Sequence, residues 1–243
     1  GFPLKVSGET DFPCMSSTRV GQGRVYVQLG KVDRLDFAAW CDGLRRGRSY
    51  VSDGYAHTLE FTVNGQSPGF EDVKLDSPGT VQVEARVAFA LQTPLSVAHG
   101  ERATDVRRRT LGDTVLLHGS RPDLMTDGGT RRVELIVNGL AVASQEIPAD
   151  GKEHDLVFTA RIDRSSWVAL RQFPQMHTNP VNVLVEDKPI RASHKSARWC
   201  IETIQQLWRS RERVIAATER DAAREAFQAA TRRFEQIAGE ASD

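Results

Sequence analysis

Two phrases constrain this chain more than any others: EFTVNG at 60–65 and ELIVNG at 134–139. In each, a run of alternating apolar residues meets Asn-Gly. A tight type I′ turn needs positive φ at both central residues, and Asn followed by Gly tolerates this best. Each phrase therefore reads as a strand ending in a reversal. Alternating or apolar runs recur at 81–89, 140–147, 156–162, 167–173 and 181–185. Short strands at this spacing, separated by turn residues, predict an Ig-like two-sheet sandwich over residues 49–190. The two echoing phrases are too few to make a repeat protein.

The flanks read differently. Residues 1–48 look like the end of an α/β unit. A short strand is expected at 4–6, then a polar loop over 9–22. RVYVQL at 24–29 is a second strand, with Val25, Val27 and Leu29 on one face. A helix is expected over 33–46, with Leu35, Ala39, Trp40 and Leu44 as its apolar stripe and Gly47 as its C-cap. Residues 91–130 break the strand rhythm and read as an insertion with one strand at 114–117. Residues 191–243 are expected to be helical. Ser196 is a candidate cap for a helix carrying Ile201, Ile204, Leu207 and Trp208. Thr218 and Asp221 have capping-box spacing before a second helix. Ala223, Phe227, Ala230, Phe234 and Ile237 form that helix's narrow apolar seam. The fold class is thus α+β, mainly β.

Charge narrows the partners. Lys plus Arg and Asp plus Glu both total 32. A balanced chain lacks the basic footprint of a nucleic-acid binder. No apolar run approaches the roughly 20 residues of a membrane helix. Cys14, Cys41 and Cys200 are widely spaced, outside any CxxC or Cys/His zinc pattern. They read as three small buried hydrophobes; one disulfide plus a free thiol is the alternative. The chain opens at Gly1 with GFPLKVSGETDFPC, which reads as mid-domain sequence. The expectation is a C-terminal portion of a larger protein, inactive alone. Self-association is expected through the helical tail or the N-terminal segment. The compartment is left open, a secreted or periplasmic parent included.

Chemistry-bearing motifs are few. None of the six histidines forms HxH or HExxH, and no nucleophile elbow or phosphate loop occurs. Arg107, Arg108 and Arg109 are a candidate anion grip, because guanidinium forks match phosphate and carboxylate; a solvated loop is the plainer reading. Trp40, Trp167, Trp199 and Trp208 sit in apolar patterns and read as core rather than as sugar platforms. Glu9 and Asp11 fall in SGETDFPC, a Gly-containing loop after an expected strand. Carboxylates are hard oxygen ligands for divalent metals. A turn-capping Asp is the simpler account.

Five phrases together carry a resemblance: SGETDFPC, GRVYVQL, GLRRGRSYVSDGYAH, SSWVALRQFPQMHTNPVNV and KPIRASHKSARWC. In this order they resemble the C-terminal region of the CehA/McbA-type metallohydrolases, of the polymerase-and-histidinol-phosphatase (PHP) superfamily. The resemblance covers most of the chain, least in 91–130. It implies that residues 1–48 are the tail of a PHP-like α/β barrel, 49–190 a sandwich packed on it, and 191–243 a helical appendage. It implies a parent that hydrolyses phosphoester or ester-type bonds with a divalent metal, zinc or manganese, and a partner in the missing N-terminal catalytic domain. The family's N-terminal His motifs have no counterpart here, so no tight metal is expected on this chain alone. SGETDFP resembles the family's closing Gly-Ser-Asp-x-His element, which puts Asp11 at a metal-ligand position and Glu9 beside it. Pro13 stands where the family has His, a departure from the ligand pattern. The other reading is a stand-alone sandwich that binds carbohydrate or protein.

Overall fold

The computed structural model describes residues 4–9, 21, 23–94 and 125–241. In chain order the elements are β1 (Arg24–Val27), α1 (Phe37–Arg46), β2 (Ser49–Ser52), β3 (Ala56–Val63), β4 (Val73–Leu75), β5 (Gly79–Phe89) and β6 (Gln92–Pro94). Then come β7 (Met125–Asp127), β8 (Thr130–Val137), β9 (Leu140–Pro148), β10 (Glu153–Ile162), β11 (Ser166–Gln172), β12 (Met176–Thr178) and β13 (Val181–Val185). The helices α2 (His194–Arg211) and α3 (Arg220–Glu240) close the chain, joined through a 3₁₀ turn at Glu212–Val214. The fold is mainly β. Contacts divide it into residues 3–186, which hold every described strand, and residues from 187 onward, which hold α2 and α3.

Alternation decides the β unit. In β5, Val81, Val83, Ala85, Val87 and Phe89 are buried while Gln82 and Glu84 face water. In β10, Leu156, Phe158, Ala160 and Ile162 are buried on the same period. A pleated strand sends successive side chains to opposite faces, so this pattern buries one face only. These strands form a three-stranded sheet, β10-β5-β3. The larger sheet has eight strands, with β11 as its hub: β11 pairs with β8, β12 and β13. Val133, Leu135, Val168, Leu170, Val181 and Val183 from that sheet join the same buried cluster as the β5 and β10 residues. Each large aliphatic side chain buried there is worth roughly 1.5–3 kcal/mol. One pairing departs from the antiparallel pattern: β4 runs parallel to β13.

Both Asn-Gly phrases end strands as expected, with positive φ at Asn64, Gly65, Asn138 and Gly139. The structure adds why the first residue is Asn. The Asn138 amide donates to the Trp167 carbonyl at 3.0 Å, and the Trp167 amide donates to Asn138 Oδ1 at 3.1 Å. Asn64 repeats this with Gln82, at 2.8 Å in both directions. The backbone has already turned away, so the side-chain carbonyl supplies the acceptor that the ladder would otherwise lose. The two turns deliver the chain to different places. Gly139 leads directly into β9, whereas Gln66 pairs only with Val63 before the chain crosses to β4 in the other sheet.

Several expectations are corrected. Residues 4–9 form no strand. Helix α1 starts at Phe37 rather than 33, because the Asp36 carboxylate caps the Ala38 amide at 2.8 Å. Leu35 therefore lies before the helix and is 82% exposed. Gly47 caps the C-terminus with φ +80°, as expected. The cap of α2 is Ser193, which accepts from the Ser196 amide; Ser196 is inside the helix. Helix α3 starts after Glu219 with no side-chain cap bond, so Thr218 and Asp221 form no capping box there. Trp199 is 65% exposed rather than core. The expected strand at 114–117 lies outside the described residues.

Asn138→Gly keeps the turn conformation and removes only the side chain. It should destabilise the protein by about 1–3 kcal/mol through the orphaned Trp167 amide, read by urea unfolding. A change near zero would show that the side-chain bond contributes nothing.

Candidate functional site

Two features of the β unit present chemistry to solvent: a cleft beside β1 and β2, and the apolar surface of the segment that leads into them.

The cleft exists because the large sheet outruns the small one. β1 pairs with β2 in register Tyr26↔Tyr50, and β2 pairs with β12 in register Tyr50↔Thr178. This register puts both tyrosines on one face, where their rings stack at 5.0 Å and 9°. Facing them is β3, whose register shifts between Thr58 and Glu60, leaving Leu59 half out in solvent. A bulge of this kind bends a strand and re-aims its side chains. The result is a cavity of about 490 Å³, lined among others by Tyr26, Tyr50, Arg48, Glu60 and Arg86.

Its charged groups are held from behind. The Arg48 guanidinium lies 4.0 Å from the centre of the Phe70 ring and donates to the Gly69 carbonyl. Arg86 bonds the Asp155 carboxylate at 2.7 Å. The Tyr50 hydroxyl meets His57 Nδ1 at 2.8 Å, and the backbone of Gly54 hydrogen-bonds the same ring. Burial pushes the Tyr50 phenol well up, with a smaller push from Tyr26. Burial also pulls His57 down, Asp53 acting against it and Arg24 with it. His177, at the β11–β12 pairing, is pulled down by burial as well, while its bond to the Thr178 carbonyl opposes this. The cleft therefore presents fixed guanidinium donors, one carboxylate and a phenol floor. Its imidazole is spent on holding that floor.

The leading segment runs alongside. The Val6 amide donates to Asn179 Oδ1 at 2.9 Å, and Asn179 Nδ2 donates to the Ser49 hydroxyl at 2.8 Å. Glycine permits the closest approaches: a Cβ on Gly8 would stand 2.5 Å from the Arg24 carbonyl oxygen, and one on Gly23 would clash with the Glu9 backbone. Helix α1 sits on β1 through Gly43, its single buried residue, where a Cβ would be 2.5 Å from Val27 Cγ1. The opposite side is open. Leu35 is 82% exposed, Leu4 and Phe37 each 78%, and Val32 and Val6 about half. Phe37 stacks on Trp40 at 6.1 Å.

Of the residues singled out from sequence, Glu9 is exposed and accepts from the Ser7 hydroxyl at 2.7 Å. Asp11, Pro13 and Cys14, like Arg107, Arg108 and Arg109, lie outside the described residues. Among the described residues no three His, Cys, Asp or Glu side chains converge as a metal would require, so these residues alone do not fit one. Cys41 and Cys200 are free thiols, and Cys41 is exposed and Cys200 half-buried, so neither is the fully buried hydrophobe expected; Cys14 lies outside the described residues. The histidines His57, His154, His177 and His194 all hydrogen-bond protein groups. Sequence alone did not point to the cleft. Its one signal was Tyr26 and Tyr50 at matching places in two short strands, and only the register makes them neighbours.

No family model matches this chain, and no curated protein matches it. No helix among the described residues is long and apolar enough to cross a membrane.

The lowered histidines set a pH dependence. A histidine whose folded value lies below its ordinary 6.5 binds its proton more readily when unfolded. Stability is then full above about 6.5 and falls as pH drops below it, until the folded value is passed. Urea unfolding between pH 7.5 and 5 should show this loss, and His57→Gln with His177→Gln should flatten it. An unchanged slope in the double variant would exclude these two residues as the cause.

Proposed function

We propose that this chain is a non-catalytic, C-terminal accessory portion of a PHP-type metal-dependent hydrolase of the CehA/McbA kind. In this reading the β unit is an Ig-like sandwich that supports or gates the catalytic domain's site. The helical residues 191–243 are an appendage. The resemblance of the five ordered phrases supplies the family. The observation that carries the reading is the open apolar side of residues 4–46. Leu4, Leu35 and Phe37 are large, apolar and uncovered, with Leu35 and Phe37 two residues apart. Large apolar side chains left in water are a common mark of an interaction site. Its occupant here is the barrel whose last turn this segment would form. Glu9 and Asp11 would then sit at the junction, next to the metal of the catalytic domain. When bound there, that zinc or manganese would supply a hydroxide nucleophile near neutral pH. This chain's part is to hold the closing loop through the Val6–Asn179–Ser49 bonds.

One observation favours the second reading, a stand-alone binding module for carbohydrate or protein: the cleft over Tyr26 and Tyr50, with Arg48 and Glu60 on its walls.

The two readings diverge in assays of the chain alone and joined to the catalytic domain. The chain alone, given manganese or zinc, should turn over neither phosphoesters nor carboxyesters. Metal-dependent turnover by it, abolished by Asp11→Ala, would contradict the accessory reading. In the longer protein, Leu35→Asp with Phe37→Asp should lower turnover at least tenfold by loosening the junction, each charge costing on the order of 1–3 kcal/mol when buried there. Arg48→Ala should leave it unchanged. The reverse pattern would favour the binding module.

A further inference from the structure

The polar groups of the tyrosine-floored cleft fall into two sets. Its buried and half-buried hydroxyls have protein partners. The Tyr50 hydroxyl meets His57 Nδ1, and the Tyr26 hydroxyl accepts from Arg24 at 3.4 Å. The Thr178 hydroxyl accepts from the Leu170 amide, and the Thr58 hydroxyl meets Met176 Sδ. The second set is uncommitted. The side chains of Gln28, Glu60 and Ser67 also line the cavity, and none of them hydrogen-bonds another described residue.

Charge singles out Arg48. The other guanidinium of the cleft, Arg86, has Asp155 at 2.7 Å, Glu153 at 3.9 Å and Glu60 as its cross-strand neighbour. Arg48 is half-buried and has no carboxylate partner among the described residues. It is held instead by the Phe70 ring and the Gly69 carbonyl. The loop that holds it is fitted closely. A Cβ on Gly69 would stand 2.6 Å from both the Arg48 amide nitrogen and the Arg46 carbonyl oxygen, and the residue has φ +75°. Glycine alone permits that approach in that conformation. Arg48 therefore offers a pre-oriented planar fork, the shape that matches a carboxylate. A half-buried charge without a counter-charge also favours a ligand that brings one.

The remaining groups narrow that ligand. Aromatic rings have weakly negative faces and pack against apolar C–H bonds. Gln28, Glu60 and Ser67 set donors and acceptors together, which suits hydroxyl groups, since each can donate and accept. A phosphate would bring nearly two negative charges, against one unpartnered cation and the Glu60 carboxylate in the same cavity. A single carboxylate is the better match. The volume, about 490 Å³, is that of a small-molecule pocket. A ring with C–H faces, several hydroxyls and one carboxylate is an acidic sugar.

We propose that the cleft binds a uronic acid residue of a saccharide, its carboxylate on Arg48 and its ring against the Tyr26–Tyr50 pair. The proposal rests on the binding-module reading and not on the hydrolase reading.

The test uses the full chain with trimers of galacturonate and of mannuronate, each also as its methyl ester. At least one acidic trimer should bind in calorimetry with a dissociation constant of about 1 mM or tighter. Its ester keeps the rings and loses the charge, so it should bind at least about tenfold more weakly. Amide shifts in an NMR titration should fall on β1, β2 and residues 66–70. Arg48→Gln should abolish the preference for acid over ester, and Tyr26→Ala should weaken both forms by similar factors. Arg132→Gln, outside the cleft, should change neither. The ester comparison is made on the wild-type chain, so it decides even where Arg48→Gln loosens the loop. No binding of either acidic trimer at about 10 mM would overturn the proposal. So would equal affinity for acid and ester, or shifts confined to other surfaces. Turnover measured with the catalytic domain tests the hydrolase reading separately, and neither result alters the other.

Discussion

The β unit depends on one constraint: the inward faces of two unequal sheets must fill a single core. Val168 and Leu170 of β11 are fully buried, as are Val83 and Val87 of β5, and all four belong to one cluster. Because the pleat has period two, a slip of one residue in any strand would turn its buried set to water. The Asn64 and Asn138 side chains guard against that slip by fixing the ladder where each strand ends. The excess width of the larger sheet then has to go somewhere. It carries β1 and β2 past the small sheet, and that overhang creates the tyrosine-floored cleft.

A second polar device closes the core near the start of β8. Arg131 is 1% exposed and donates to Gln175 Oε1 at 2.8 Å, while Gln175 Nε2 donates to the Asp53 carboxylate at 3.1 Å. A buried guanidinium is costly unless its donors are satisfied and a counter-charge is near. Gln175 links the two charges, and the Gly128 and Thr130 carbonyls take further donors. Burial still pulls Arg131 down, against the pull of Asp53. The network ties β8 to the loop after β2, whose Gly54 backbone hydrogen-bonds His57 of β3.

Much of the strand placement along the chain was legible because alternation and Asn-Gly turns are local signals. The runs at 81–89 and 156–162 needed only their own residues to be read. What was not legible depends on partners distant in sequence. Leu4 to Val6 alternates like a strand, yet none forms, and the Val6 amide goes to the Asn179 side chain. Leu35 fits a helical stripe by spacing, but the Asp36 cap starts the helix after it. The β13–β4 parallel pair and the Tyr26–Tyr50 stack arise from register between segments far apart. The candidate ligand Glu9 could be named from sequence, but not that its carboxylate would take the Ser7 hydroxyl.

We propose that residues 4–9 and 23–46 were shaped against a domain beyond this unit. Hydrogen exchange measured along the isolated chain tests it most directly. Segments with few buried apolar contacts open locally at low cost. The account predicts fast exchange over residues 4–9 and over α1, with slow exchange at β5, β10 and β11, and protection of the first two on joining the catalytic domain. Protection of residues 4–9 and α1 equal to that of β5, in a chain that remains alone, would contradict it.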